Sequence, residues 1–172
     1  MMTHSAPGTP SSSHADHAWR PVLERVKTLA HQSELFGRVE FLEGGAILSC
    51  EAPAAAAPAF YRVFAENGKL WVSLVTPDRY LSQSVEQDLV HTGDKLGDLI
   101  QDELIDVEHP APYRPVVEHF RDPMKLFTFR SAVPASDLTG TVDENARRVW
   151  LTLKAYQACF VNLGDIEADD DE

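Results

Sequence analysis

Asn67-Gly68 stands between FYRVFAE (60–66) and KLWVSLV (69–75), two stretches rich in aromatic and β-branched residues. A two-residue Asn-Gly loop accepts positive φ at both positions, which suits the type I′ turn that closes an antiparallel ribbon. Such a turn also sets the register, with Ala65 opposite Leu70, Val63 opposite Val72 and Tyr61 opposite Leu74. Successive strand residues point to opposite faces, so that wholly apolar set must look into a core. The other face carries Phe60, Arg62 and Phe64 across from Val75, Ser73 and Trp71. Three rings around one cation form a patch of the kind that binds a partner if it faces solvent. Covered by a helix or by the segment 52–59, the same residues are a second core layer.

The neighbouring segments extend this ribbon into an α+β fold, an antiparallel sheet of three hairpins packed against N-terminal, middle and C-terminal helices. Residues 20–35 place Val22, Leu23, Val26, Leu29 and Ala30 at helical spacing, with Pro21 in the first turn and Gly37 as the expected stop. RVEFLE and AILSCE flank Gly44-Gly45, a second hairpin in which Val39 and Phe41 share a face with Leu48 and Cys50. The prolines of 52–59 hold that stretch extended, as a crossing loop. Two short helices follow, 78–90 closed by Gly93, and one capped by Asp94 with a stripe of Leu96, Leu99, Ile100, Leu104 and Val107. The third hairpin, 116–133, turns at Asp122-Pro123 through two to four residues. Thr141-x-x-Glu144 then reads as a capping box, and Gly164 as the end of the last helix. Along that helix Val149, Leu153, Tyr156 and Phe160 lie on one narrow seam. The seam either rests on the chain's own sheet or is shared with a second copy as a homodimer.

Length and charge narrow the class. At 172 residues the chain suits one domain, read as 16–164 between a disordered leader, 1–15, and an acidic disordered tail, 165–172. A net charge of −12 argues against nucleic acid and against anionic membrane surfaces, whose binders rely on cationic side chains. The sequence contains no apolar run long enough for a signal peptide or a membrane span. Cys50 and Cys159 lack any paired spacing and read as buried hydrophobes, so a reducing cytoplasm is expected.

Chemistry leaves few marks. Gly44-Gly45 is a turn rather than a phosphate loop, and the His, Cys, Asp and Glu spacings match no metal set, so neither a cofactor nor a metal is expected. Neither cysteine has an adjacent base. Glu118 and His119 are strand neighbours and point to opposite faces unless the strand bulges. A small enzyme with a pocket beside the third hairpin, using His119, Glu118 or Arg130, is the alternative to a binding protein. A third reading is an acidic decoy for a basic protein's nucleic-acid site.

The element order α-ββ-ββ-αα-ββ-α resembles that of the type III secretion chaperones and the YbjN-like bacterial regulators, as do the small size and acidic balance. The likeness spans roughly residues 20–164 and is one of topology, with an additional strand and a divided middle helix in this chain. It implies a non-enzymatic adaptor, often homodimeric, that holds an extended polypeptide client on a sheet. The contacts would be Phe60, Arg62, Phe64 and Trp71.

Overall fold

A computed structural model describes residues 18–53, 57–92, 95–134 and 141–169, without the side chains of 88, 90–92 and 162–169. The expected α+β architecture is present. Six strands form one antiparallel sheet: β1 (Val39–Leu42), β2 (Ile47–Glu51), β3 (Phe60–Glu66), β4 (Lys69–Thr76), β5 (Glu118–Arg121) and β6 (Phe127–Val133). Their spatial order is β1-β2-β3-β4-β6-β5. The helices are α1 (Arg20–Ser33), α2 (Arg79–Thr92), α3 (Leu96–Asp106) and α4 (Val142–Asp169).

The central ribbon has the register that its turn dictates. Ala65 pairs with Leu70, Val63 with Val72 and Tyr61 with Leu74. Asn67 and Gly68 both take positive φ, 56° and 78°. The β1–β2 pair also follows expectation, with Val39 opposite Cys50 and Phe41 opposite Leu48. Its loop is longer than Gly44-Gly45, because a 3₁₀ turn over Glu43–Gly45 intervenes, with Glu43 also at positive φ. The segment after β2 does not cross the sheet. β2 and β3 are neighbours, and the Ala52 N–H donates to the Ala59 carbonyl at 2.9 Å, so this segment joins adjacent strands.

Several element ends differ from expectation. α1 stops at Ser33, where Glu34 takes the left-handed conformation usual after a helix. Gly37 lies beyond that point, and its N–H pairs with the Glu51 carbonyl. Asp78 precedes α2 as a cap whose Oδ1 accepts from the Leu81 N–H at 2.9 Å. Gly93 and Asp94 lie outside the described residues, and Lys95 stands at the start of α3 without a side-chain cap. The third hairpin spans five loop residues, 122–126, more than the turn allowed in advance. Asp122 organises it, accepting the Leu126 N–H on Oδ1 and the Lys125 N–H on its carbonyl. The capping box forms reciprocally: the Glu144 N–H donates to Thr141 Oγ1, and the Thr141 N–H to Glu144 Oε1. α4 continues through Gly164 to Asp169, where a stop and a disordered tail were expected. A glycine inside a helix costs about 1 kcal/mol against alanine and need not end it.

All four helices gather on one side of the sheet. α4 packs on α1, α2 and α3 and on β3, β4 and β6. Between the layers lie Leu48, Val63, Leu70 and Val72 from the strands, Val26 from α1, Ile100 and Leu104 from α3, and Leu153 from α4. Each fully buried leucine or valine there contributes roughly 1.5–3 kcal/mol. Trp19 is also fully buried, and its Nε1–H donates to the Gly68 carbonyl at 3.3 Å, tying the start of α1 to the central turn.

Candidate functional site

The face of the sheet turned away from the helices carries the candidate residues. Strand pairing arranges them in three rows. The middle row is polar from edge to edge: Glu40, Ser49, Arg62, Ser73, Arg130 and Glu118 face one another across successive strands. On one side runs Ile47, Phe64, Trp71 and Ala132. On the other runs Glu51, Phe60, Val75, Thr128 and Phe120. Phe60, Phe64 and Trp71 are half-buried and none belongs to the helix-covered core cluster. The small residues Ser49, Ser73 and Thr128 of the same rows are buried. The rings thus form neither a second core layer nor a freely exposed patch.

The two arginines of the middle row are in opposite condition. Arg130 is engaged throughout. Its Nη1–H donates to Glu66 Oε1 at 2.8 Å and its Nε–H to Glu118 Oε1 at 2.9 Å. Its guanidinium sits 4.2 Å from the Trp71 ring centroid and 5.2 Å from that of Phe120. Burial alone would lower the Arg130 pKa, but the bonds and charges of Glu118 and Glu66 outweigh it and raise it. Arg62 has no such clamp. It lies half-buried with its guanidinium 6.0 Å from the Phe60 centroid, and its buried Nε–H has no hydrogen-bond partner among the described residues. Ser73, directly opposite and 1% exposed, has a hydroxyl in the same condition. Burial lowers the Arg62 pKa, and the negative charges of Asp122 and Glu43 offset this only in part. Among the described residues no carboxylate forms an ion pair with Arg62.

The third hairpin does not bring His119, Glu118 and Arg130 to one side of the sheet. Glu118 and Arg130 meet on the helix-free face, whereas His119 points to the helical side. There its ring stacks on Phe129 at 3.9 Å, its Nδ1–H donates to the Thr128 carbonyl at 3.0 Å, and its Nε2 meets the Glu86 carboxylate of α2. His119 therefore pins the edge strand β5 to a helix. Nor is the α4 seam offered to a second copy. Val149, Leu153, Tyr156 and Phe160 are all buried in the chain's own interior, where the Tyr156 and Ser131 hydroxyls lie 2.6 Å apart. His109 is buried too: its Nδ1 accepts the Ala111 N–H at 3.0 Å, while its Nε2 has no partner among the described residues. Cys50 and Cys159 are unpaired and buried, and burial pushes both thiols up to about 12.

Register links these features to the sequence. Once Asn67-Gly68 sets the central ribbon, Arg62 must face Ser73. The engagement of Arg130 by Glu66, 64 positions away, depends on β6 pairing with β4, for which the sequence carries no local signal. Among the described residues no group of three or more His, Cys, Asp or Glu is arranged to hold a metal ion, and no helix is long and apolar enough to cross a membrane. Comparisons with protein-family models, with curated proteins and with solved structures return no match to this chain.

Proposed function

We propose that the protein is a chaperone-like adaptor that holds an extended polypeptide segment on the helix-free face of its sheet. One observation carries this reading: Phe60, Phe64 and Trp71 stand outside the core cluster and flank a half-buried Arg62 that, among the described residues, forms no ion pair and has no hydrogen-bond partner for its Nε–H. Folding alone does not call for an unpaired, partly desolvated cation among aromatic rings, since an apolar side chain of similar volume would serve at least as well there. A ligand-binding face does call for one. For the enzyme alternative, Glu118 and Arg130 lie on the helix-free face and His119 on the helical side beside Glu86, so these residues do not share one pocket. The net charge of −12 speaks for a polypeptide rather than a nucleic acid as partner. Free thiols accord with a reducing compartment such as the cytoplasm. One chain suffices for the face, so the reading does not depend on a dimer.

The test is selection from a random library of 12-residue peptides on immobilised protein. Peptides with apolar residues at alternate positions should be enriched on the wild type and not retained by the Phe64→Ala/Trp71→Ala variant. Circular dichroism should show that variant folded, since both side chains lie outside the helix-covered core. Absence of enrichment, or equal retention by the folded variant, rejects the proposal.

A further inference from the structure

We infer that the segment this face accepts carries a single carboxylate with an apolar side chain two residues to either side, seated along β3 with the carboxylate on Arg62. The inference rests on the adaptor reading and specifies its ligand. Phe60, Arg62 and Phe64 follow one another at every second position of β3 and so lie on one face. Second neighbours in a strand are about 6.6–6.8 Å apart, and an extended peptide repeats its side chains at the same interval. A segment of pattern apolar-x-acid-x-apolar therefore matches the ring, cation and ring in step.

Charge selects the middle residue. Arg130 is already bonded to two carboxylates, so Arg62 is the middle-row cation left to answer a ligand. A carboxylate can reach the Nη groups of the half-buried Arg62, for which no ion pair is formed among the described residues, in charge-assisted bonds, while the Nε–H and the Ser73 hydroxyl stay enclosed in the sheet. A lysine or arginine at that position would meet like charge, and a neutral residue would leave the guanidinium further desolvated and still unpaired. Charge also limits the acids to one. Glu40 and Glu118 stand at the two ends of the middle row, Glu51 ends the Phe60 row, and Glu66 borders Trp71. A peptide acidic over several residues would be repelled at each of these.

The experiment uses three fluorescein-labelled 11-residue peptides with identical flanks and the centres Leu-Ser-Glu-Ser-Leu, Leu-Ser-Gln-Ser-Leu and Leu-Ser-Lys-Ser-Leu. Each is titrated by anisotropy against the wild type, Arg62→Met, Arg62→Glu and Phe64→Ala/Trp71→Ala. The glutamate peptide should bind the wild type about tenfold or more tightly than the glutamine peptide. Arg62→Met should erase that preference, and Arg62→Glu should turn it toward the lysine peptide. Equal binding of all three to the wild type, lost in the double variant, would overturn the carboxylate and leave the adaptor face standing. If none binds, both readings fall. Displacement of the glutamate peptide by free glutarate at a concentration similar to the peptide's own would show a small-acid site and also overturn the inference.

Discussion

Arg62 and Arg130 are adjacent-but-one in the same row of the sheet, yet they have opposite relations to stability. Arg130 satisfies Glu66 and Glu118 and lies between two rings. Arg130→Met should therefore cost about 1–2 kcal/mol in denaturant unfolding, through two lost charge-assisted bonds and two lost ring contacts. Arg62→Met removes a cation that burial disfavours and that no carboxylate bonds, so its unfolding midpoint should hold or rise. A clear fall would show that Arg62 belongs to the scaffold rather than to a binding face. His109 supplies a pH dependence. Burial, reinforced by the positive charge of Arg148, holds its imidazole below the ordinary value of 6.5. The unfolded chain therefore takes up the proton more readily than the folded one. The contribution of neutral His109 is complete above pH 6.5 and is lost as pH falls toward the folded value, with a slope of at most about 1.4 kcal/mol per unit. His109→Asn keeps an acceptor near the Ala111 N–H and cannot titrate. Unfolding curves at pH 5 and pH 7.5 should differ less for this variant than for the wild type.

Element boundaries show where local sequence suffices. The Asn67-Gly68 ribbon was legible to the residue because a two-residue turn leaves one register, and the Thr141–Glu144 box was legible because both partners of the cap lie within four positions. That Phe60, Arg62, Phe64 and Trp71 share one face of the sheet followed from the ribbon alone. The unengaged state of Arg62 and the clamp on Arg130 did not, since both depend on which strands and loops come near. The third hairpin resisted because its five-residue loop is organised by the Asp122 side chain and by Lys125 at φ 66°, neither of which a Pro-containing turn announces. Gly97 is a comparable case. By helix propensity alanine should improve α3 there by about 1 kcal/mol. A Cβ at this position would stand 2.5 Å from the Pro115 carbonyl oxygen, so helix and proline-rich segment would have to separate. Gly97→Ala should lower the thermal midpoint, and a rise would show that the segment after α3 yields easily. Thr141→Ala, which removes the hydroxyl acceptor of the capping box, should lower it by about 2–4 °C without changing peptide binding.

At the scale of the molecule, one layer of helices seals one face of one sheet, and α4 is the member that touches both layers most widely. Cys50 lies in β2 and Cys159 in α4, each buried, with thiols raised to about 12. Neither should react with iodoacetamide in the native protein, and both should become reactive at the same denaturant concentration if sheet and helix unfold as one unit. Mass spectrometry resolves the two sites, and labelling of Cys159 well before Cys50 would show α4 detaching first. Residues 142–160 come late in the chain but supply Ala146, Val149, Leu153, Tyr156 and Phe160 to the interior. During synthesis, then, the strands leave the ribosome with only the three earlier helices to cover their greasy side, and part of it stays bare until this stretch has been made. A nascent chain of this design passes through an interval in which it needs shelter from its neighbours, and stalling before residue 142 would prolong that vulnerability.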